Sequence, residues 1–485
     1  MSETRPARPL WPLLLGALIG ALAAGLQGQD AGFDLRNYHW YAAWALLHGR
    51  FALDVAPGQL QSFFNPLIEL PYYAALSGLG GAGGTILIGA VHGLGVGLAG
   101  VMARHLRLDR ITCVAVMLAA AWAPVFLDEV GTSKGDLFVG IFVLSGVWAL
   151  LRGQSMLAGA LTGAAVGLKL TAGPFAVALL VAALVGRRAP RRVLAGLFAG
   201  WAVTGAWWAA LLLFTTGNPV FPMANHLFGS PWAEPLHFAE MGYFPQGWGW
   251  LTLPWDMAAG GEASWRVQWR DARWLCLSVV GLTWLGRRRD RGDGGLLLAW
   301  AAVAWTLWEL GSSLVRYLAP LEALAGLVIA VLLRDLLGAR SRLVTLPLLG
   351  VLALWTRAPA PDRVPFGPDL FGVVVPALPP GPAPVVITAG EGALAYLAPA
   401  FPESVRHLRV SSSVVWHGDD TVLNRRIRAT LATASPLLLL TGEDGDFEQE
   451  ALPAYGLGPV GPCRPVASRL DSGLLLCLIQ APTDP

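Results

Sequence analysis

Charge is scarce in this chain. Asp, Glu, Lys and Arg make up 14% of its 485 residues, against roughly 25% in soluble domains, which excludes an ordinary water-soluble protein. Lysine is scarcer still: Lys134 and Lys169 are the only two. The four cysteines have no metal-ligand spacing, and neither do the external histidines His39, His48, His226 and His237. No Walker loop, dinucleotide fingerprint or Gly-Xaa-Ser-Xaa-Gly elbow occurs, so nucleotide-driven and serine-hydrolase chemistry have no motif to stand on. No internal repeat is visible, which weighs against a transporter. No cleavable signal peptide is evident either, because the apolar run Leu10–Leu26 is long enough to stay as an anchor.

What is present is apolar. The chain is 55% hydrophobic with 21 Trp, which suits a membrane protein with interfacial aromatic belts. Eleven runs read as crossings: 10–27, 82–102, 111–127, 137–151, 154–168, 171–186, 192–214, 273–286, 294–311, 318–333 and 343–356. Those within 137–186 fall at or below the roughly 17 residues a crossing needs. Arginine arbitrates. Arg5 and Arg8 precede the first run, and Arg104, Arg107 and Arg110 follow the second. Arg152 follows the fourth, Arg187, Arg188, Arg191 and Arg192 the sixth. Arg287, Arg288, Arg289 and Arg291 follow the eighth, and Arg334, Arg340 and Arg342 the tenth. A cluster at every second connection is what the positive-inside rule requires. This pattern predicts a cytoplasmic N-terminus and an external C-terminus. The net charge of +2 is spent in these blocks and gives no nucleic-acid signal.

The external connections are then 28–81, 128–136, 169–170, 215–272, 312–317 and 357–485. Residues 357–384 are a Pro-rich linker. Beyond it, Val385–Thr388, Leu408–Val410, Leu437–Thr441 and Leu474–Ile479 read as strands, and Ala393–Ala400 and Asn424–Ala434 as helices. The expected fold class is therefore an all-α polytopic membrane protein over 1–356, with a small extracytoplasmic α/β domain over 385–485. Cys463 and Cys477 flank two of these strands, and an oxidising compartment predicts a disulfide between them.

Chemistry concentrates just after the first run. Asp34, Arg36, Asn37 and His39 crowd, with Asp30 and four aromatics, into twelve positions. The stretch reads as the start of an external active site; the plainer reading is an interfacial amphipathic helix. Lys169 lies between two apolar runs, where a cation is expensive without a partner. An ammonium there suits a phosphate oxygen, or it snorkels at a helix end. Arg316, followed by Tyr317, is the lone Arg on its external connection and points to the same anionic partner, or to an ion pair with Glu309 or Glu322. Lys134 is a third cation. Asp128, Glu129 and Asp136 form a second acidic group. With Asp34 they suit a divalent cation or the orientation of a nucleophile, while Asp136 reads as a helix-terminal acid only. Asn225, in the loop Gly217–His226, is a further substrate contact. Trp232, Tyr243, Phe244, Trp248, Trp250 and Trp255 read as belt residues, with sugar stacking as the alternative.

The stretches Asp34-Leu35-Arg36-Asn37-Tyr38-His39, Phe64-Asn65-Pro66-Leu67 and Gly217-Asn218-Pro219-Val220-Phe221-Pro222 resemble a bacterial branch of multipass proteins near the polyprenyl-phosphate-mannose-dependent transferases. The arrangement over about residues 10–356 resembles the GT-C fold of membrane glycosyltransferases. The resemblance implies a polyprenyl-phosphate-linked sugar donor, transfer on the outer face, and an acid of the first outer loop as general base, here Asp34. Asp128 and Glu129 are the next candidates. Lys169 and Arg316, with Lys134 in reserve, would stabilise the leaving phosphate. The first outer loop has no Asp-Xaa-Asp, which leaves metal dependence open; no other cofactor is implied. The sugar is not specified, nor whether the acceptor is a glycan, a lipid or a protein. Two other classes compete. A lipid-linked sugar flippase should carry polar residues at the midplane of several helices, where His92 is the clearest one. A scaffold presenting the C-terminal domain has no need of Lys169 within the bundle.

Overall fold

A computed structural model describes residues 10–235, 244–260, 269–287, 292–442, 451–458 and 460–479. Arg5, Arg8, His237, Tyr243, Arg288, Arg289 and Arg291 lie outside the described residues. The chain is mostly helical, with a small sheet in its C-terminal part. It divides into two compact units. A helical unit comprises Met1–Gln27, Thr85–Ala206 and Ala239–Pro361; a sheet unit comprises Gly28–Gly84, Trp207–Phe238 and Asp362–Pro485.

Every apolar run expected to cross is helical, but several are broken. The run 111–127 splits into Arg110–Ala121 and Pro124–Glu129, because the residue before a proline is pushed out of the helical region. The run 192–214 splits at Gly205 into Pro190–Thr204 and Ala206–Thr216. Helix Leu70–His105 starts well before the expected position 82 and contains one non-helical residue, Gly80, at φ 72°. By length and composition, two described helices, Pro66–His105 and Gly292–Gly311, can cross a membrane alone, or three if the pair broken at Gly205 counts as one span.

The helical unit is packed for lipid. In helix Trp11–Gln27 the buried positions are Pro12, Gly16, Gly20 and Ala24, while Leu14, Leu18 and Leu22 are exposed. That inversion of the soluble pattern buries small residues and turns leucines outward. A Cβ on Gly20 would lie 2.0 Å from the Gly89 carbonyl oxygen, and one on Gly93 2.0 Å from that of Gly16. Helices Ser155–Leu168 and Pro190–Thr204 use the same device: a Cβ on Gly200 would lie 1.9 Å from the Ala160 oxygen.

Five strands of the sheet unit form its main sheet: β1 (Val385–Thr388), β2 (Arg406–Arg409), β3 (Leu437–Thr441), β4 (Val460–Pro465) and β5 (Leu475–Ile479). Their order is β2-β1-β3-β5-β4. Strands β1, β2 and β3 are parallel, and β5 and β4 run antiparallel to their neighbours. All four residues of β1 are buried, as expected of the inner strand of a parallel set. Strand β4 has no signal in the sequence. Its Pro462 and Pro465 are tolerated because it is an edge strand with an irregular register. Cys463 and Cys477 are register partners on β4 and β5 and form a disulfide. The helix expected at Asn424–Ala434 runs from Val422 to Leu431, with Thr421 capping it by accepting from the Asn424 N–H.

The first loop belongs to this sheet. Val55 pairs in parallel with Leu408 at the β2 edge, its N–H donating to His407 O at 2.9 Å and its carbonyl accepting from Arg409 N at 3.0 Å. Buried Asp54 takes four hydrogen bonds, from Arg50 Nε (3.0 Å) and Nη2 (2.7 Å), Tyr41 Oη (2.8 Å) and His407 N (3.0 Å). Arg409 is fully buried and donates to the carbonyls of Pro57, Gly390 and Gly392 at 2.9, 2.6 and 2.9 Å. The Pro-rich segment is tied down as well. Arg363–Val364 pairs with Gln29–Asp30, Val374 with Ala467, and Ala383 with Ser435.

One consequence is an acid sensitivity. His407 is buried and its Nε2 has no hydrogen-bond partner. Burial pushes its ring down from the ordinary 6.5 to about 4. A group whose pKa falls on folding contributes stability that is lost as pH drops, here between about 6.5 and about 4. The full loss is on the order of 3 kcal/mol. Hydrogen exchange of the sheet should show the parent losing this much more protection than His407→Leu over that interval. Equal acid sensitivity in the two proteins would refute the assignment.

Candidate active site

In the helical unit the residues expected to carry chemistry converge. Helix Pro124–Glu129 ends in a turn closed by the N–H of Thr132 and its Oγ1, both donating to Glu129 O at 2.9 Å. Gly131 takes φ 80°, and a Cβ there would sit 2.7 Å from Ala24 Cβ, so only glycine fits. Its N–H donates to His92 Nδ1 at 3.2 Å. His92 thus supports the loop 130–135 from within the helical unit. Asp136 opens helix Asp136–Leu151, and Lys169 follows helix Ser155–Leu168 in extended conformation.

Ion pairs knit these elements together. Lys169 Nζ lies 2.7 Å from Asp136 Oδ1 and donates to Lys134 O at 2.8 Å. Lys134 Nζ lies 2.5 Å from Asp128 Oδ2. Arg316 Nε lies 3.9 Å from Asp136 Oδ2, and its Nη2 donates to Tyr317 Oη at 3.4 Å. Lys169 and Arg316 both sit over the Tyr317 ring, 5.5 and 5.2 Å from its centroid. Asp136 is therefore more than the helix-terminal acid expected: its buried carboxylate joins two cations that are far apart in sequence. Glu309 accepts from Trp305 Nε1 and Glu322 from Val125 N.

Glu129 is the exception in the cluster. It is 1% exposed, and neither carboxyl oxygen has a hydrogen-bond partner. Burial first, and then the negative charge of Asp136, push it well above the usual carboxylate range. Three cations, Lys134, Lys169 and Arg316, thus meet three carboxylates, Asp128, Glu129 and Asp136, in one cluster.

The remaining candidates lie in the sheet unit. Asp34 is half-buried at the start of a short π-helix, Leu35–His39, and makes no capping hydrogen bond with its side chain. Its neighbours are committed to other partners. Arg36 pairs with Asp471, which also accepts from Tyr396 Oη. His39 Nδ1 is 2.6 Å from Glu69 Oε2, both buried. Asn37 Nδ2 donates to Gln61 Oε1 at 3.3 Å. Asn225 is fully buried and staples its own loop, with Nδ2 within 3.2 Å of the carbonyls of Ser230, Ala233 and Glu234. Sequence reasoning missed Asp471 and Tyr396. Both lie in the C-terminal domain, and no local signal ties them to Arg36, which is 435 positions from Asp471. Among the described residues, no group of three or more His, Cys, Asp or Glu is placed to hold a metal ion.

No protein-family model and no curated protein matches the chain. Two solved structures do, both of ArnT from Cupriavidus metallidurans. The structure bound to undecaprenyl phosphate is 18% identical with a TM-score of 0.47, and the match covers 71% of this chain and 63% of that one. The apo structure is 15% identical with a TM-score of 0.55, and the match covers 96% of this chain and 97% of that one. The second likeness shows the fold: the chain has the GT-C fold expected from the sequence.

Proposed function

We propose that the chain is a membrane glycosyltransferase that moves a sugar from a polyprenyl-phosphate donor to an acceptor hydroxyl on the extracytoplasmic face. The observation that carries this reading is the convergence of three cations, Lys134, Lys169 and Arg316, at the ends of apolar helices. A lipid phosphate brings a matching anion to that depth. ArnT, whose fold the chain shares, has been crystallised with undecaprenyl phosphate. In the reaction the acceptor oxygen bonds to the anomeric carbon while the bond from that carbon to the phosphate oxygen breaks. The polyprenyl phosphate leaves with the electron pair, and the base takes the hydroxyl proton. Cations of the cluster oppose the charge on the leaving phosphate. Asp34 is assigned as the base on the strength of the sequence resemblance.

Arg316→Gln removes one positive charge and leaves the Lys169–Asp136 pair in place. A hydrogen bond to a charged group contributes about 1.5–3 kcal/mol, so affinity for a polyprenyl-phosphate sugar should fall by about 10–100-fold. Lys169→Ala should lose affinity as well, and should also cost about 3–5 kcal/mol in stability by leaving Asp136 buried without its ammonium. Binding measured on purified protein decides: parental affinity in Arg316→Gln and Lys169→Ala would reduce the cluster to a structural one.

A further inference from the structure

The sheet unit contains a cavity of about 250 Å³ that the glycosyl-transfer reading does not use. Its walls are Phe51, Phe63, Trp208, Leu212, Trp232 and Leu423. Phe51 and Trp208 meet edge to face, 5.1 Å between centroids. The volume falls below the roughly 300–1,000 Å³ of sites that enclose a whole drug-sized molecule. It fits one ring or the end of one chain.

The polar groups of the lining decide between these. Thr215 and Thr216 donate their hydroxyls to Leu211 O and Leu212 O, both at 2.7 Å. Tyr41 Oη is spent on Asp54, and Asp54 is neutralised by Arg50. Ser62 Oγ accepts from Gly58 N at 2.8 Å. A sugar would bury hydroxyls with few partners left, at a cost of about 1–3 kcal/mol each. A hydrocarbon chain meets no such penalty. One lining group differs. Arg426 is half-buried, lies over the Trp232 ring at 5.4 Å and gives Nη2 to Ala52 O at 2.8 Å. A guanidinium has five N–H donors, and with Asp54 neutralised Arg426 sets the sign of the site.

The wall that separates the cavity from its surroundings is helix Ala206–Thr216. Its other side exposes Leu213 and Phe214, and Leu227 and Phe228 nearby in sequence are exposed as well. Leu211 both lines the cavity and is exposed. A chain can therefore enter sideways from the lipid phase past Leu211. We propose that this cavity binds the hydrocarbon chain of an anionic membrane lipid, with the headgroup charge held by Arg426.

The test uses the full-length protein in phosphatidylcholine nanodiscs and dodecyl phosphate carrying a diazirine at the chain end. After photolysis, labelled peptides are mapped by mass spectrometry, with label on the lipid-facing leucines of helix Trp11–Gln27 as the internal reference. Label should concentrate on residues 206–216 and 421–431. Arg426→Gln should reduce it about tenfold relative to the reference, the loss expected for one charged contact. The uncharged diazirine dodecanol should be reduced to the same degree. Leu211→Trp, at an exposed position, should block entry without disturbing the fold. Inorganic phosphate should not compete. Label spread evenly over all exposed helices, or unchanged in both variants, would overturn the proposal. Displacement by inorganic phosphate alone would overturn it too, because the anion would then be bound without a chain.

Discussion

Asp34→Asn should lose sugar transfer by about 10²–10⁴-fold, the usual contribution of a positioned general base, while donor binding and expression stay at parental levels. The substitution keeps the size of the side chain and removes its ability to hold a proton. It leaves the surrounding pairs untouched, because Arg36 is joined to Asp471, His39 to Glu69 and Asn37 to Gln61. The neighbouring Asp30 is the natural control. It is buried, accepts from Gly32 N at 2.9 Å and sits in the strand pair with Arg363, a structural employment. Asp30→Asn should retain most activity. A purified Asp34→Asn protein that transfers at the parent rate removes Asp34 from the chemistry. Asp128 and Glu129 would then be next in line.

The second large effect is on stability. Arg409→Met should cost the sheet unit several kcal/mol. The arginine is fully buried and serves three carbonyls. Stranding a buried acceptor costs about 1–3 kcal/mol, and three together approach the whole stability of a typical domain, about 5–15 kcal/mol. Burial lowers the guanidinium to about 10, so it stays charged at neutral pH. Arg409→Lys should recover only part of the loss, because a point ammonium cannot span three oxygens as the planar fork does. Hydrogen exchange of residues 385–409 reads the result directly; parental protection in Arg409→Met would show that water or backbone movement satisfies those carbonyls.

Much of the architecture was legible because its signals are local. The apolar runs became helices, and the β-branched and leucine-rich runs at 385–388 and 437–441 became β1 and β3 with the expected bounds. Helix bounds depart from the apolar runs where Pro124 and Gly205 break a run whose hydropathy is continuous, since a hydropathy window does not register backbone breaks. Strand β4 was hidden by its own prolines. Of the candidate site, the acids and cations of 128–136, 169 and 316 were legible as charges in apolar surroundings. Their pairing was not: which carboxylate meets which cation depends on helices meeting in space. The same holds for Arg36 and Asp471.

The joining of Val55 to β2 sets an order of events during synthesis. Asp54 and His407 are 353 positions apart, which at roughly 5–20 residues per second puts roughly 20–70 s between their appearances. Through that interval the first loop has no sheet to join. Arg50 and Asp54, however, are one helical turn apart and emerge together. Their ion pair can form at once and keep the acid neutralised until the last fifth of the chain arrives. A ribosome that stops before residue 406 leaves the loop without its strand.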